Sequence, residues 1–577
     1  MKRYPSVEKP WLQFFSEEAV NAELPKETIY QHIYNHSYNY PIHTALNYFG
    51  NKISYAQLFQ NIDRAAASFK ALGIGVGDTV ACFSVTIPEM VYSLYGLNKI
   101  GASLMMLDPR RTGREVDGMI KAASAEVILV LDLAVEHLRE YLESLNAKKI
   151  IVISVDTSMP MTVRTLKQMK MPAPKIEYSE NMCTWKQFVS IGKGIETETV
   201  PYGTNEMAAV TLTGGTTGMP KGVMLSQDGF NAIAMDFRYC GVTYTREQRF
   251  MNIIPAFASY GIVASLHMPL SLGLELVIIP KFDSDKVGHL VKKYRPSHTL
   301  LVPAHYEKLM NSKEMQNGFD LSFFETAGSG GDTMNKGLEE KLNGFLKEHG
   351  AKFPLSQGYG MSEVSSAASC CCNGNFRSLS VGYPLLMNTI SIFKPDSEEE
   401  LSYNEEGEIC MTGPAVMLGY LDNDEETRKV LKTHSDGTVW VHSGDIGKMD
   451  EDGYVYIKGR IKRMITLFNG HKVFPTQLEN TIGKHPHVVS CAVVGVKDTT
   501  HAQGENAVAM IQLQEESMEQ AVIDEVKKLC LEEIEESSRP NDIMVVDSMP
   551  HTGMGKIDYK QLAADYEKLL EQAPIAG

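Results

Sequence analysis

From about residue 50 the chain alternates short apolar runs with stretches of helical spacing, and this alternation narrows the possible folds more than any other feature. The runs at 80–85, 103–107 and 127–131 have the length and composition of buried strands, while 90–99 and 114–123 between them have helical period. Ser54-Tyr55-Ala56-Gln57 is a capping box; Leu58, Ile62, Ala65, Phe69 and Leu72 follow at helical spacing, and Gly73, Gly75 and Gly77 end the pattern. Strands bridged by helices pair in parallel, because parallel neighbours need a crossover connection. A second set follows residue 214, with strands expected at 274–279 and 299–302 and a helix around 283–293. After about residue 400 the chain is turn-rich. Glu406-Gly407-Glu408, Ser435-Asp436-Gly437 and Glu451-Asp452-Gly453 predict a small antiparallel region. Beyond Gly459-Arg460 a further α+β unit is expected, with strands at 488–496 and 507–513 and a helix near 518–536. The expected architecture is therefore α/β: a large N-terminal domain over residues 1–460, made of layered α/β sheets with a small antiparallel β region, and a smaller α+β domain over 461–577.

Charge excludes some partners. The 71 acidic and 55 basic side chains leave a net charge of −16, so a general nucleic-acid binder is excluded, since phosphate contact draws on clustered Lys and Arg. Any anionic ligand must be held locally. Nine cysteines without a C-x-x-C pair make neither a disulfide framework nor a zinc motif. The run Cys370-Cys371-Cys372 reads as buried small side chains, because neighbours on extended chain point to opposite faces. An odd thiol count suits a reducing compartment. Met1-Lys2-Arg3-Tyr4-Pro5 is followed by no apolar leader, so a cytoplasmic protein is expected. The most apolar stretch, 262–279, contains His267, Pro269, Gly273 and Glu275. It reads as a buried turn between core elements, with no stable membrane insertion.

The strongest local signal is Thr211-Leu212-Thr213-Gly214-Gly215-Thr216-Thr217-Gly218-Met219-Pro220-Lys221-Gly222. An apolar strand, 208–212, runs into a Gly/Thr loop, and another apolar run, 223–225, leaves it. Glycines let backbone N–H groups approach an anion, hydroxyls add donors, and Lys221 adds charge. That is what a polyphosphate cradle needs. It is not a Walker A loop: Pro220 stands before the lysine where Gly belongs, and Gly222 follows where Ser or Thr should hold magnesium.

The loop resembles the phosphate-binding signature of the adenylate-forming superfamily, which contains acyl-CoA synthetases, carrier-loading adenylation domains and firefly-type luciferases. Four later segments resemble that family in the same order: Gln357-Gly358-Tyr359-Gly360-Met361-Ser362-Glu363, Ser443-Gly444-Asp445, Gly459-Arg460-Ile461-Lys462-Arg463 and Pro550-His551-Thr552-Gly553-Met554-Gly555-Lys556-Ile557. The resemblance implies an acyl-adenylate made from a carboxylic acid and ATP with magnesium, then transfer to a thiol. It implies that Thr213, Thr216, Thr217 and Lys221 hold the β- and γ-phosphates, with Gly214, Gly215 and Gly218 in the same nucleotide site. Gly330, Gly358, Gly360 and Ser362 would also bind the nucleotide, with Tyr359 stacked on the adenine, Glu363 on magnesium, Asp445 on the ribose hydroxyls and Arg460 nearby. Lys556, with Glu363 and Thr217, would be catalytic, its ammonium pairing with both the carboxylate and the α-phosphate. Lys462 matches the hinge about which such C-terminal domains swing, so the smaller domain is expected to be mobile. Arg463 departs from the acidic residue often found next.

The same resemblance places Phe257, Ala258, Tyr260, Gly261 and Ser366 at the acid. Amino-acid-activating relatives carry Asp where this chain has Ala258, and many acyl and aryl ligases carry His. A buried ammonium without a counter-ion would cost several kcal/mol, so an apolar acid is expected, a medium- to long-chain fatty acid ahead of an arylpropenoate. The chain ends about 20 residues after Lys556 with no carrier domain. Coenzyme A is therefore the expected acceptor; a separate carrier protein bearing phosphopantetheine is the alternative. A third reading is a binding protein that senses acyl-adenylates without turnover, and retention of Thr217, Glu363, Asp445 and Lys556 argues against it.

Overall fold

The computed structural model of the chain describes residues 3–213, 221–332, 334–498, 500–501, 503–514, 519–550 and 557–572. Two large sheets carry most of the mass. In the first, eight strands among the described residues run in the order Gly419–Tyr420, Gly222–Ser226, Met207–Leu212, Ser103–Leu107, Thr79–Phe83, Val127–Leu131, Lys149–Ile153, Met182–Thr184. Its interior is parallel, as the alternation requires, and Met207–Leu212 turns back antiparallel into Gly222–Ser226. The second sheet has a parallel centre, Thr326–Ser329, His298–Leu301, Arg249–Asn252 and Glu275–Ile278. Thr44–Tyr48 joins it beside Glu275–Ile278, and Ser356–Tyr359 joins beside Thr326–Ser329.

Helix Pro88–Lys99 is buried at every residue, and its sequence is accordingly apolar or small around most of its circumference. It packs on Tyr55–Ala71, which starts at the expected capping box: Ser54 accepts from Gln57 N, and the Gln57 side chain accepts from Ser54 N. Leu58, Phe59, Ile62, Ala65, Ala66 and Phe69 form the buried face of that helix.

Residues 262–279 are buried as expected, but helix precedes the turn. A π-helix, Tyr260–His267, passes into Met268–Ser271 before Gly273 turns the chain into Glu275–Ile278. His267 is tolerated in this core because both ring nitrogens are engaged, with Tyr95 at 3.2 Å and Asn231 at 3.3 Å. The antiparallel region also forms. Val439–Met449 pairs with Gly407–Thr412, Leu431–Thr433 and Val455–Arg460, with turns at Ser435–Gly437 and Glu451–Gly453. Glu406-Gly407-Glu408 is not a turn. Gly407 opens a buried strand, and the reversal occurs earlier, where Asn404 takes φ 64°.

After Val455–Arg460 the chain makes a 3-10 turn, Ile461–Arg463. Strands Val488–Lys497, Glu505–Leu513 and Asp542–Val545 then form a three-stranded sheet with helices Pro475–Ile482 and Glu519–Glu533. Ile465, Leu478, Ile482, Val493, Ile511 and Val526 belong to its own apolar core. All nine cysteines are free. Cys371 turns to the Ser380 carbonyl, while Cys372 faces Cys240, as alternation requires. Among the described residues no helix is long and apolar enough to cross a membrane.

Candidate functional site

The expected residues come from strand ends and the turns that follow them. Residues 214–220, with Gly214, Gly215, Thr216, Thr217 and Gly218, lie outside the described residues, as does Lys556. The shoulders of the loop are described. Thr213 N donates to the Lys221 carbonyl at 3.0 Å, and Lys221 N donates to the Thr213 hydroxyl at 3.2 Å. Two reciprocal bonds thus join Thr213 to Lys221. The Lys221 ammonium lies 3.0 Å from Glu426 and 4.2 Å above the Tyr420 ring. Glu426 sits in the first turn of helix Asp424–Val430, and Lys429 together with Lys221 draws its carboxyl down to about 2.

Tyr420 also reaches the expected magnesium ligand. Its hydroxyl donates to buried Glu363 at 2.6 Å. One side chain thus joins the carboxylate to the lysine of the phosphate loop. The turn carrying Glu363 is braced from below: Met417 N donates to the Glu363 carbonyl at 2.9 Å, and the Ser365 hydroxyl to the Ala415 carbonyl at 2.7 Å. Ser365 and Ser366 take φ 54° and 121°, strained values for residues with a Cβ. The buried Ser366 hydroxyl has no hydrogen-bond partner. Gly360 is required opposite it, since a Cβ there would stand 1.9 Å from the Ser366 carbonyl.

Gly358 and Tyr359 end the strand Ser356–Tyr359. The Tyr359 hydroxyl donates to Asp445 at 2.7 Å, and burial pushes its pKa well up. Asp445 and Arg460 face each other across antiparallel strands, with Arg460 Nε 3.0 Å from the carboxylate. The nearby Asp445 charge is the main reason the Arg460 pKa rises. Behind Asp445, Glu408 accepts from Gly444 N at 3.0 Å and pairs with His442 at 2.8 Å; His434 meets the other nitrogen of His442 at 3.1 Å. This backing was not part of the sequence reading. The only sequence signal for it is strand alternation, which turns Glu408 and Cys410 to one face.

The segment expected at the acid, residues 257–261, lies against both neighbours. Leu212 N donates to the Phe257 carbonyl at 3.0 Å, and the Ser259 hydroxyl to that of Ser362 at 3.1 Å. Phe257 and Ala258 are buried. Gly261 is required for the tight turn, as a Cβ there would sit 1.9 Å from the Pro255 carbonyl. The half-buried Tyr260 places its phenol oxygen 3.7 Å from where a Gly330 Cβ would be. Thr213 and Lys221 at the loop shoulders and the segments 257–261, 357–363 and 443–445 are thereby joined in one network. Lys462 stands apart on the exposed turn. Arg463 points the other way, to Glu479 at 2.6 Å, the Val493 carbonyl at 3.3 Å and the Tyr559 ring at 3.5 Å.

Glu363 offers the hard oxygen that magnesium prefers. Ser329 and Gln357 are register partners on adjacent strands, and each has a buried oxygen without a partner, so the strand ends keep unused hydrogen-bonding capacity. These observations fit a magnesium–nucleotide ligand.

Comparisons with known proteins agree with this arrangement. The model of the AMP-binding enzyme family matches residues 33–421, and that of the AMP-binding enzyme C-terminal domain matches 477–556. A long-chain-fatty-acid–CoA ligase of Bacillus subtilis (strain 168) is 28% identical over 564 residues, 96% of this chain and 98% of its own. 4-Coumarate–CoA ligase 3 of Oryza sativa subsp. japonica is 30% identical over 526 residues, 89% of this chain and 87% of its own. In fold, the crystal structure of ATP-bound MatB from Rhodopseudomonas palustris superposes with a TM-score of 0.78 at 23% identity, covering 94% of this chain and 99% of that one. The chain belongs to the AMP-binding enzyme family, within the adenylate-forming superfamily, and is an AMP-forming acid–thiol ligase that uses ATP and coenzyme A.

Proposed function

We propose that the chain joins an apolar carboxylic acid, a medium- to long-chain fatty acid ahead of an arylpropenoate, to coenzyme A through an acyl-adenylate. The observation that carries this reading is Ala258: a buried methyl group on the acid segment, where a cationic substrate would need an acid. The names of the relatives, one acting on long-chain fatty acids and one on 4-coumarate, support the same class.

Within this reading Thr213, residues 214–218 and Lys221 take the β- and γ-phosphates. Lys221 exchanges Glu426 for phosphate without losing its place over Tyr420. Magnesium, when bound, supplies hard positive charge at the phosphates, and Glu363 is the residue that would hold it. Gly330, Gly358, Tyr359, Gly360 and Ser362 enclose the adenine, Asp445 accepts the ribose hydroxyls, and Arg460 stays near the nucleotide. Phe257, Ala258, Tyr260, Gly261 and Ser366 shape the acid pocket. Lys556 joins carboxylate and α-phosphate in the first half-reaction and is withdrawn in the second by rotation of residues 461–577 about Lys462. The reaction takes place in the cytoplasm, where the nine free thiols stay reduced.

A panel of acids with ATP, magnesium and coenzyme A tests the reading. AMP and pyrophosphate are the expected products, with the highest kcat/KM on an apolar acid; ADP and orthophosphate would overturn it. Acyl transfer only to a phosphopantetheine-bearing protein would replace coenzyme A as acceptor. Ala258→Asp is expected to cut kcat/KM for the best acid at least tenfold while leaving ATP binding intact, because a carboxylate beside an alkyl chain loses its hydration. Wild-type efficiency in that variant would remove Ala258 from the pocket.

A further inference from the structure

Helix Met161–Lys170 is attached to the protein by half-buried Val163, which packs on the main core, and by polar contacts beside it. Lys167 pairs with Asp156 at 2.5 Å, Gln168 donates to the same carboxylate at 3.2 Å, and Arg164 donates to the Thr157 carbonyl at 2.6 Å. None of its residues is buried. At 3.6 residues per turn Met161, Thr165 and Met169 fall in one row on the side away from Val163 and Lys167, with exposed Thr162 and Leu166 beside it. That outward face is apolar: Met161, Leu166 and Met169 are 82%, 62% and 78% exposed, and Met171 just beyond is 63% exposed. A helix held by buried apolar contacts shows the reverse pattern. Other exposed apolar side chains, such as Val7, Ile42 and Val76, stand alone in the sequence, which is normal for a protein surface.

The exposed charge next to this face is mainly positive. Between Asp156, which Lys167 neutralises, and Glu177 the chain carries Arg164, Lys170 and Lys175, in a protein of net charge −16. Lys170 and Lys175 are exposed. The adjoining cleft over Thr157–Met159 adds Lys52 and Arg64, and no acidic side chain lines it. Apolar tips flanked by lysines are what a helix lying in a lipid headgroup layer needs: the tips enter about 5–10 Å and the ammoniums meet lipid phosphates. A single ten-residue helix offers less than the roughly 800 Å² per partner that a stable protein dimer buries.

We propose that the face Met161–Met171 docks the protein on an anionic phospholipid surface, as a peripheral contact without a membrane-spanning segment. This does not depend on which acid the enzyme activates. The test is flotation of the full chain with vesicles of phosphatidylglycerol and phosphatidylcholine, against vesicles of phosphatidylcholine alone. The wild type is expected to float with the anionic vesicles and to be released as salt rises. The triple variant Met161→Asp, Leu166→Asp, Met169→Asp is expected to stay in solution, and Lys170→Glu with Lys175→Glu to lower partition at least tenfold. Both variants should keep the wild-type unfolding midpoint and ATP-dependent pyrophosphate release with a water-soluble acid, because the changed side chains face solvent. Failure of the wild type to float, or equal flotation with neutral vesicles, overturns the proposal. So does a dimer in light scattering that the triple variant dissociates, since a second copy would then occupy the face.

Discussion

Asp445 is a buried carboxylate held by the Tyr359 hydroxyl and Arg460, and its backbone N–H is fixed by the Ser443 hydroxyl at 3.0 Å. Glu408 supports the next residue back, through Gly444 N. Burial raises the Glu408 pKa, but the hydrogen bond and charge of His442, with the bond from Gly444 N, together outweigh this and keep it below the ordinary carboxylate value. Glu408→Gln should therefore loosen the loop without removing a group proposed to touch the nucleotide. KM for ATP is expected to rise about three- to tenfold, or roughly 1 kcal/mol, with kcat at saturating ATP nearly unchanged. Steady-state kinetics over an ATP series checks this; an unchanged KM would reduce Glu408 to a purely packing role. At this scale the motifs Tyr359-Gly360-Met361-Ser362-Glu363 and Ser443-Gly444-Asp445 were legible because their neighbours in sequence are also neighbours in space. Glu408, Tyr420 and Glu426 were not. Each acts across a gap of 36 to 205 residues, and no local pattern marks which acid of Asn423-Asp424-Glu425-Glu426 turns toward Lys221. Those four residues announce only a capped helix start.

Strands Ser103–Leu107 and Val127–Leu131 begin and end where their apolar runs do, and the other expected elements shift by a few residues at their ends. Buried parallel strands are continuous apolar runs, so their bounds are written in the sequence. The two-residue strand Gly419–Tyr420 carries no such pattern; only its partner Gly222–Ser226 defines it. The turn Ile461–Arg463 is informative in another way. Arg460 is tied to Asp445 on one side and Arg463 to Glu479 on the other, leaving Ile461 and Lys462 between two anchors. Rotation is proposed at those two residues. Lys462→Pro, which fixes φ, should still release a burst of pyrophosphate but pass little acyl group to coenzyme A. Lys556→Ala should do the opposite, cutting adenylate formation about 10²–10³-fold while a supplied acyl-adenylate is still converted to thioester. Measuring both half-reactions in both variants decides the matter; equal loss of both in each variant removes the swinging-domain reading.

The stability of the whole molecule has a pH dependence to which one buried acid should contribute near neutrality. Glu89, inside the fully buried helix Pro88–Lys99, accepts from the Ser158 hydroxyl at 2.6 Å, while its second oxygen is buried without a partner. Burial raises its pKa to about 7. The unfolded chain loses this proton near pH 4.5 and the folded one near 7, so ionisation favours unfolding increasingly as pH rises between those values. Glu89→Gln, which stays neutral, should stabilise the protein by about 3 kcal/mol at pH 8, and the gain should fade by about pH 5. Unfolding midpoints of both proteins across pH 5–8 check this; a pH-independent difference would mean that packing, not charge, sets it. The strand Gly419–Tyr420 has a consequence for synthesis. The edge Gly222–Ser226 waits for it while roughly 190 further residues are translated, about 10–40 s at ordinary ribosome rates. Throughout that interval the first sheet presents an open edge, the kind that nascent chains use to pair with one another. The residue that finally closes it, Tyr420, is the one that grips Glu363, so on the ribosome protection from aggregation and completion of the site arrive together.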